Sequence, residues 1–141
     1  MKQLGIKHCQ KISLPNVVSQ SGNITSLNNQ RDLPFDINRV FYIYDIPSGE
    51  SRGAHAHRAC HQLLVAVSGS FKVEVFDGID TLEFILDRPD VGLHIPPGLW
   101  ASEFDFSGGG ICLVMASHEY DESDYIREYV DFLSYKHDTS N

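Results

Sequence analysis

The stretch from Arg52 to Leu64, RGAHAHRACHQLL, sets His55, His57 and His61 within seven residues. Alternate residues of an extended chain point to the same side, so His55 and His57 share a face about 6.6 Å apart along the strand. Two such imidazoles either help hold a metal ion or move protons. Their ordinary pKa of about 6.5 suits them to the second task near neutral pH. Two polar rings on one face, beside Arg52 and Gly53, sit poorly in an apolar core, which favours a site over core packing. His61 reads as structural, His94 sits on a proline-stiffened rim, and His8, His118 and His137 belong to no constellation.

The elements that must position these rings are short strands. Arg39–Ile46 is rich in aromatic and β-branched residues and is stopped by Pro47-Ser-Gly49. The segments 62–67, 71–76 and 81–86 form a β-meander, with turns at Ser68-Gly69-Ser70 and Asp77-Gly78. His94–Trp100 reads as a rim and residues 110–116 as a buried strand. At the carboxyl end Ile126, Tyr129, Val130 and Leu133 fall at helical spacing, with Asp121 and Ser123 as caps, predicting one helix over 120–135 and a fraying tail beyond it.

A chain of 141 residues, 42% hydrophobic and 21% charged, suits one domain with a real core. Its net charge of −8, with no stripe of Lys or Arg, argues against nucleic acid as a partner. One or two arginines still suffice to grip a diphosphate. Cys9, Cys60 and Cys112 share no metal-binding or redox spacing and read as reduced, buried thiols. No signal peptide and no membrane span is legible, so a cytoplasmic protein without membrane attachment is expected.

Gly49, His55, His57, Gln62 and Gly69 stand at the spacing of the first cupin motif, G(X)5HXH(X)4E(X)6G, and Gly92 with Pro96-Pro97-Gly98 follows the second. The chain therefore resembles the cupin superfamily, which implies an all-β double-stranded β-helix, a jelly-roll barrel, here with one C-terminal α-helix. Metal-binding cupins add a carboxylate and a third histidine to the pair. In this chain Gln62 and Ala101 occupy those positions, so two of four ligands are missing and no metal is expected.

Within the cupins the chain is similar to the dTDP-sugar 3,4-ketoisomerases, the WxcM-like group of deoxysugar and surface-polysaccharide biosynthesis. The carriers are Ser21-Gly22, Pro34-Phe35, Arg39-Val40, Arg52–His57, Gly92-Leu93, Pro97, Trp100 and above all the run from Ala116 to Arg127, ASHEYDESDYIR. The resemblance implies a dTDP-linked 4-keto-6-deoxyhexose substrate whose carbonyl moves from C4 to C3 through an enediol, with no cofactor. By match to the family's HxH, His57 is the first candidate for the acid–base residue and His55 its partner. Arg52 and Arg39 are candidates for the sugar or its diphosphate, Tyr42 and Trp100 for thymine or the sugar pocket. Ser21 and Ala101 stand where family members carry larger polar side chains that bear on the configuration at C4. A homodimer with exchanged amino-terminal strands is also implied, within one domain of 1–141 made of N-terminal strands (1–37), barrel (38–116) and closing helix (120–135). Three other readings remain open at this point: a dTDP-sugar 3,5-epimerase-like enzyme, a non-catalytic sugar-nucleotide-binding cupin, and a metal cupin of the dioxygenase kind.

Overall fold

The computed structural model describes residues 5–140; residues 1–4 and 141, which the expected domain boundaries include, lie outside the described residues. The chain forms β1 (Gln10–Ser13), β2 (Asn16–Val17), β3 (Ile24–Thr25), β4 (Arg39–Ile43), β5 (Arg52–His57), β6 (Gln62–Ser68), β7 (Phe71–Phe76), β8 (Thr81–Leu86), β9 (Val91–Ile95), β10 (Trp100–Phe104), β11 (Ile111–Ala116), β12 (Tyr125–Ile126) and α1 (Tyr129–Ser140). Two five-stranded antiparallel sheets result, in the orders β1-β9-β6-β11-β4 and β12-β5-β10-β7-β8, and β2 and β3 form a separate hairpin. This is the all-β jelly roll expected of a cupin, with one helix at its carboxyl end.

The core explains the arrangement. Leu64, Ala66, Leu93, Cys112 and Val114 of the first sheet meet Phe71, Val73, Val75 and Leu86 of the second in one buried cluster between the sheets. β6 is apolar on both faces because its other side, Leu63 and Val65, is covered with Leu14, Leu27, Leu33 and Phe35 from the segment before β4. That double burial is why residues 63–66 read as a continuous apolar run and not as an alternation. Cys9, Cys60 and Cys112 are buried free thiols.

Four sequence expectations are corrected by the structure. β4 ends at Ile43, short of Ile46, because Asp45 takes a left-handed conformation (φ 56°) that breaks the extended run. The His94–Trp100 rim divides: His94 and Ile95 close β9, and Trp100 opens β10. The helix predicted over 120–135 runs from Tyr129 to Ser140. Asp121 does cap a turn, accepting from the backbone N–H and hydroxyl of Ser123, but it is a 3₁₀ turn over Glu122–Asp124 that contains Ser123. Tyr125 and Ile126 then pair with His57 and Ala56 as β12, so Ile126 serves a sheet. The buried helix face is consequently Phe132 and Lys136, while Val130 is 72% exposed. Residues 136–140 stay helical instead of fraying.

Candidate active site

β5 carries the two histidines, and both faces of this strand are used. Ala56 packs outward with Ile126, Phe132, Phe76 and Trp100 beneath α1. The opposite face, with Gly53, His55 and His57, turns into the barrel, where these residues and Ala101 and Glu103 line one small interior cavity. His55 pairs in register with Ala101 of β10. The rings of His55 and His57 lie 5.0 Å apart, edge to face.

The two imidazoles have different surroundings. His57 is buried, and its Nδ1 donates to Asp124 Oδ2 at 2.9 Å. A carboxylate only accepts, which assigns the ring proton to Nδ1 and leaves Nε2 with the lone pair. Asp124 also accepts from the backbone N–H of Ala59 at 2.7 Å and of Cys60 at 3.3 Å. His57, Cys60 and Asp124 bring nitrogen, sulfur and oxygen atoms within 4.8 Å of one another, but with the carboxylate committed to three donors the group is a brace between β5 and the carboxyl-terminal segment. Burial lowers the pKa of His57 from its ordinary value, with the hydrogen bond and charge of Asp124 opposing.

His55 instead opens onto a cleft of about 860 Å³, lined also by Tyr42, Tyr44, Arg52, Gln62, Tyr125 and Arg127. Burial, then the neighbouring charges of His57 and Arg127, push its pKa down to about 4. It is therefore a neutral imidazole at neutral pH, able to accept a proton. The Tyr125 ring packs 5.0 Å from His55 and 4.4 Å from His57, and its hydroxyl accepts from Arg39 Nη2 at 3.3 Å. Arg127 lies over the Tyr125 ring at 4.2 Å and forms a two-pronged pair with Glu122, Nε to Oε1 at 2.5 Å and Nη2 to Oε2 at 2.8 Å.

Of the residues singled out from the sequence, His55, Arg52 and Tyr42 meet in the cleft, and His57 and Ala101 line the interior cavity behind it. Arg39 stands beside them through Tyr125 and lies 5.7 Å from the Tyr120 ring. Trp100 is turned away from the cleft: its ring meets Tyr129 at 5.5 Å under α1, because it alternates with Ala101 on β10 and so takes the outer face. Ser21 lies in the turn of the β2–β3 hairpin, its Oγ 2.9 Å from that of Ser19, outside the cleft. Asp124, Tyr125 and Arg127 join the site although sequence reading left them only as family markers. The signal that could have found them was the DYIR run itself. Spacing could not, since Asp124 is 67 residues from His57.

A neutral imidazole facing a cleft, a second one braced by a carboxylate, and cationic side chains at the rim are equipped to remove a proton beside a carbonyl in an anionic substrate. Residues 7–137 match the family model described as "FdtA: WxcM-like, C-terminal". The TDP-4-oxo-6-deoxy-alpha-D-glucose-3,4-oxoisomerase of Aneurinibacillus thermoaerophilus is 40% identical over 124 residues, which is 88% of this chain and 89% of that protein. A mutant of the 3,4-ketoisomerase from Thermoanaerobacterium thermosaccharolyticum, solved in complex with TDP-4-keto-6-deoxyglucose, is 34% identical and superposes with a TM-score of 0.92, covering 94% of this chain and 96% of the other. The TDP-quinovose 3,4-ketoisomerase from Campylobacter jejuni is 40% identical with a TM-score of 0.86, covering 92% of this chain and 99% of its own.

Proposed function

This chain belongs to the WxcM-like family, and from that premise we propose its reaction: it is a sugar 3,4-ketoisomerase that moves the carbonyl of TDP-4-keto-6-deoxyglucose from C4 to C3. The observation that carries the reading on this chain is His55, a neutral imidazole open to the cleft and backed by the braced His57. The base removes the proton from C3, a proton reaches the C4 oxygen, and the enediol forms. Protonation of C4 and loss of the O3 proton then leave the ketone at C3.

The match to the family's HxH puts His57 first. Cleft access and the commitment of His57 Nδ1 to Asp124 support the reverse assignment, with His55 as the carbon base and His57 as the group that orients and polarises it. Arg52, whose strand borders the cleft, pairs by charge with the diphosphate, and Tyr42 offers an exposed ring to the thymine. Arg39 acts through Tyr125. Ala101, opposite His55 in register, leaves room over the face where C4 is reprotonated.

We place the protein in the cytoplasm, in deoxysugar supply for a surface polysaccharide, as a homodimer that needs neither metal nor cofactor. β1 hydrogen-bonds β9 of its own chain, so exchange between protomers falls to the β2–β3 hairpin. Its exposed Val17, Val18 and Ile24 suit a partner surface, and through it Ser21 would reach the partner's cleft. Val18→Asp should convert the dimer to a monomer in light scattering; a wild-type monomer would contradict the assembly. The reaction itself is tested by incubating chelator-treated protein with TDP-4-keto-6-deoxyglucose. The 3-keto isomer should accumulate without added metal, and an unchanged substrate would overturn the proposal.

A further inference from the structure

Glu103 sits at the bottom of this site, and a scheme of two histidines alone gives it no part in the chemistry. The residue is 7% exposed and borders both the open cleft, beside His55 and Gln62, and the interior cavity behind it. That cavity offers about 10 Å³, close to what one water molecule requires. Glu103 Oε2 and His57 Nε2 are both buried without a hydrogen-bond partner among the described residues, and both residues line that cavity. A buried polar atom without a partner costs roughly 1–3 kcal/mol, and its retention at a reaction site calls for a use.

The fold makes room for this carboxyl specifically. Gly53, at φ +77°, lies against it, and a Cβ there would overlap Oε2. The titratable groups facing Glu103 are Arg52, His55 and His57 from β5, Cys60 just beyond it, and Cys112 from β11; Gln62 of β6 is uncharged, and β7 presents Val73 and Val75. Arg52 is the one permanent charge among them. Burial outweighs it and the group's own backbone N–H, raising the Glu103 pKa to about 7, so a share of the molecules holds a neutral carboxylic acid at neutral pH.

Isomerisation moves two protons, one from C3 to C4 and one from O3 to O4, and a single imidazole carries only one of them at a time. Resting on the ketoisomerase reading, we propose that Glu103 is the acid–base group for the oxygen-bound proton, acting on the sugar directly or through one water. As His55 takes the proton from C3, the neutral carboxyl gives its O–H proton to O4, and a neutral enediol is left between an imidazolium and a carboxylate. As His55 returns its proton to C4, the carboxylate takes the proton from O3 and the ketone forms at C3. Only C–H, O–H and N–H bonds and the shifting double bond change, and both residues end as they began. A site whose surroundings drive a histidine down and a glutamate up holds base and acid in their working forms together.

Glu103→Gln tests the assignment, with Glu103→Asp as the variant that keeps an acid. A side-chain amide can neither give the proton to O4 nor take the one from O3, so Glu103→Gln should lower kcat about 10²–10⁴-fold with KM changed little. The wild type should lose activity as pH rises through about 7, and the same change should remove that loss. Glu103→Asp should recover part of kcat and regain that alkaline limb. Independently of turnover, infrared difference spectra should show the C=O stretch of a protonated carboxyl at pH 6 in the wild type and not in Glu103→Gln. An ionised Glu103 at pH 6, or a Glu103→Gln enzyme with wild-type kcat and pH profile, would overturn the proposal. If Glu103→Gln fails to fold, the infrared titration and the aspartate variant decide. A wild type with no isomerase activity would remove the parent reading instead, which the infrared arm keeps distinct.

Discussion

His55 and His57 stand two positions apart on one strand yet differ in what they can do. One is open to the cleft; the other has its Nδ1 fixed on Asp124. Their roles separate in mutants. His55→Asn, which keeps shape and removes the base, should lower kcat about 10²–10⁴-fold. Asp124→Asn should lower it less, since it unties the brace without deleting the base. Equal losses in steady-state kinetics would contradict this division. Gly53→Ala should cost more than about 1 kcal/mol in urea unfolding, because it adds strain at φ +77° and an overlap with the Glu103 carboxyl. A stability change within about 0.5 kcal/mol would show that the carboxyl can move aside.

At the scale of elements, β12 extends the second sheet at its β5 edge and α1 covers the outer face of that sheet. Phe132, fully buried between Trp100, Phe76 and Tyr129, should cost about 3–5 kcal/mol when cut to alanine. Val130→Ala should stay within about 0.5 kcal/mol. The reverse order would restore the helix face read from the sequence. That face was misread because the Asp121–Ser123 cap signal is real but is spent on a 3₁₀ turn, and because Tyr125 and Ile126 find strand partners on β5. No local pattern reveals a partner that distant. The strands β7 and β8 were legible to the residue, since alternation and the Asp77-Gly78 turn are local. The HxH face was legible for the same reason. Asp124, Tyr125 and the orientation of Trp100 were not, as each depends on which side of the barrel a paired strand presents.

For the whole molecule, the neutral histidines of the fold couple stability to pH. His55 and His94 are held down to about 4, chiefly by burial, and His57 and His61 are lowered for the same first reason. Each binds a proton more readily unfolded than folded, so its contribution is present above about 6.5 and is lost as pH falls toward about 4. Glu103, raised to about 7, runs the other way: its contribution is complete below the ordinary glutamate range and is lost as pH rises through about 7. Four lowered histidines outweigh one raised glutamate, so stability should fall as pH drops from about 6.5 toward 4, which thermal melts across that range would check; a higher melting temperature at pH 4.5 than at pH 6.5 would contradict it. The isomerase itself is decided by proton NMR of TDP-4-keto-6-deoxyglucose with metal-stripped protein in heavy water, beside His55→Asn. Deuterium should enter at C3 and not at C5 while a 3-keto species grows, and all of this should be absent in the mutant. An untouched C3 in the wild type, or unchanged exchange in His55→Asn, would contradict a histidine-driven 3,4-isomerisation.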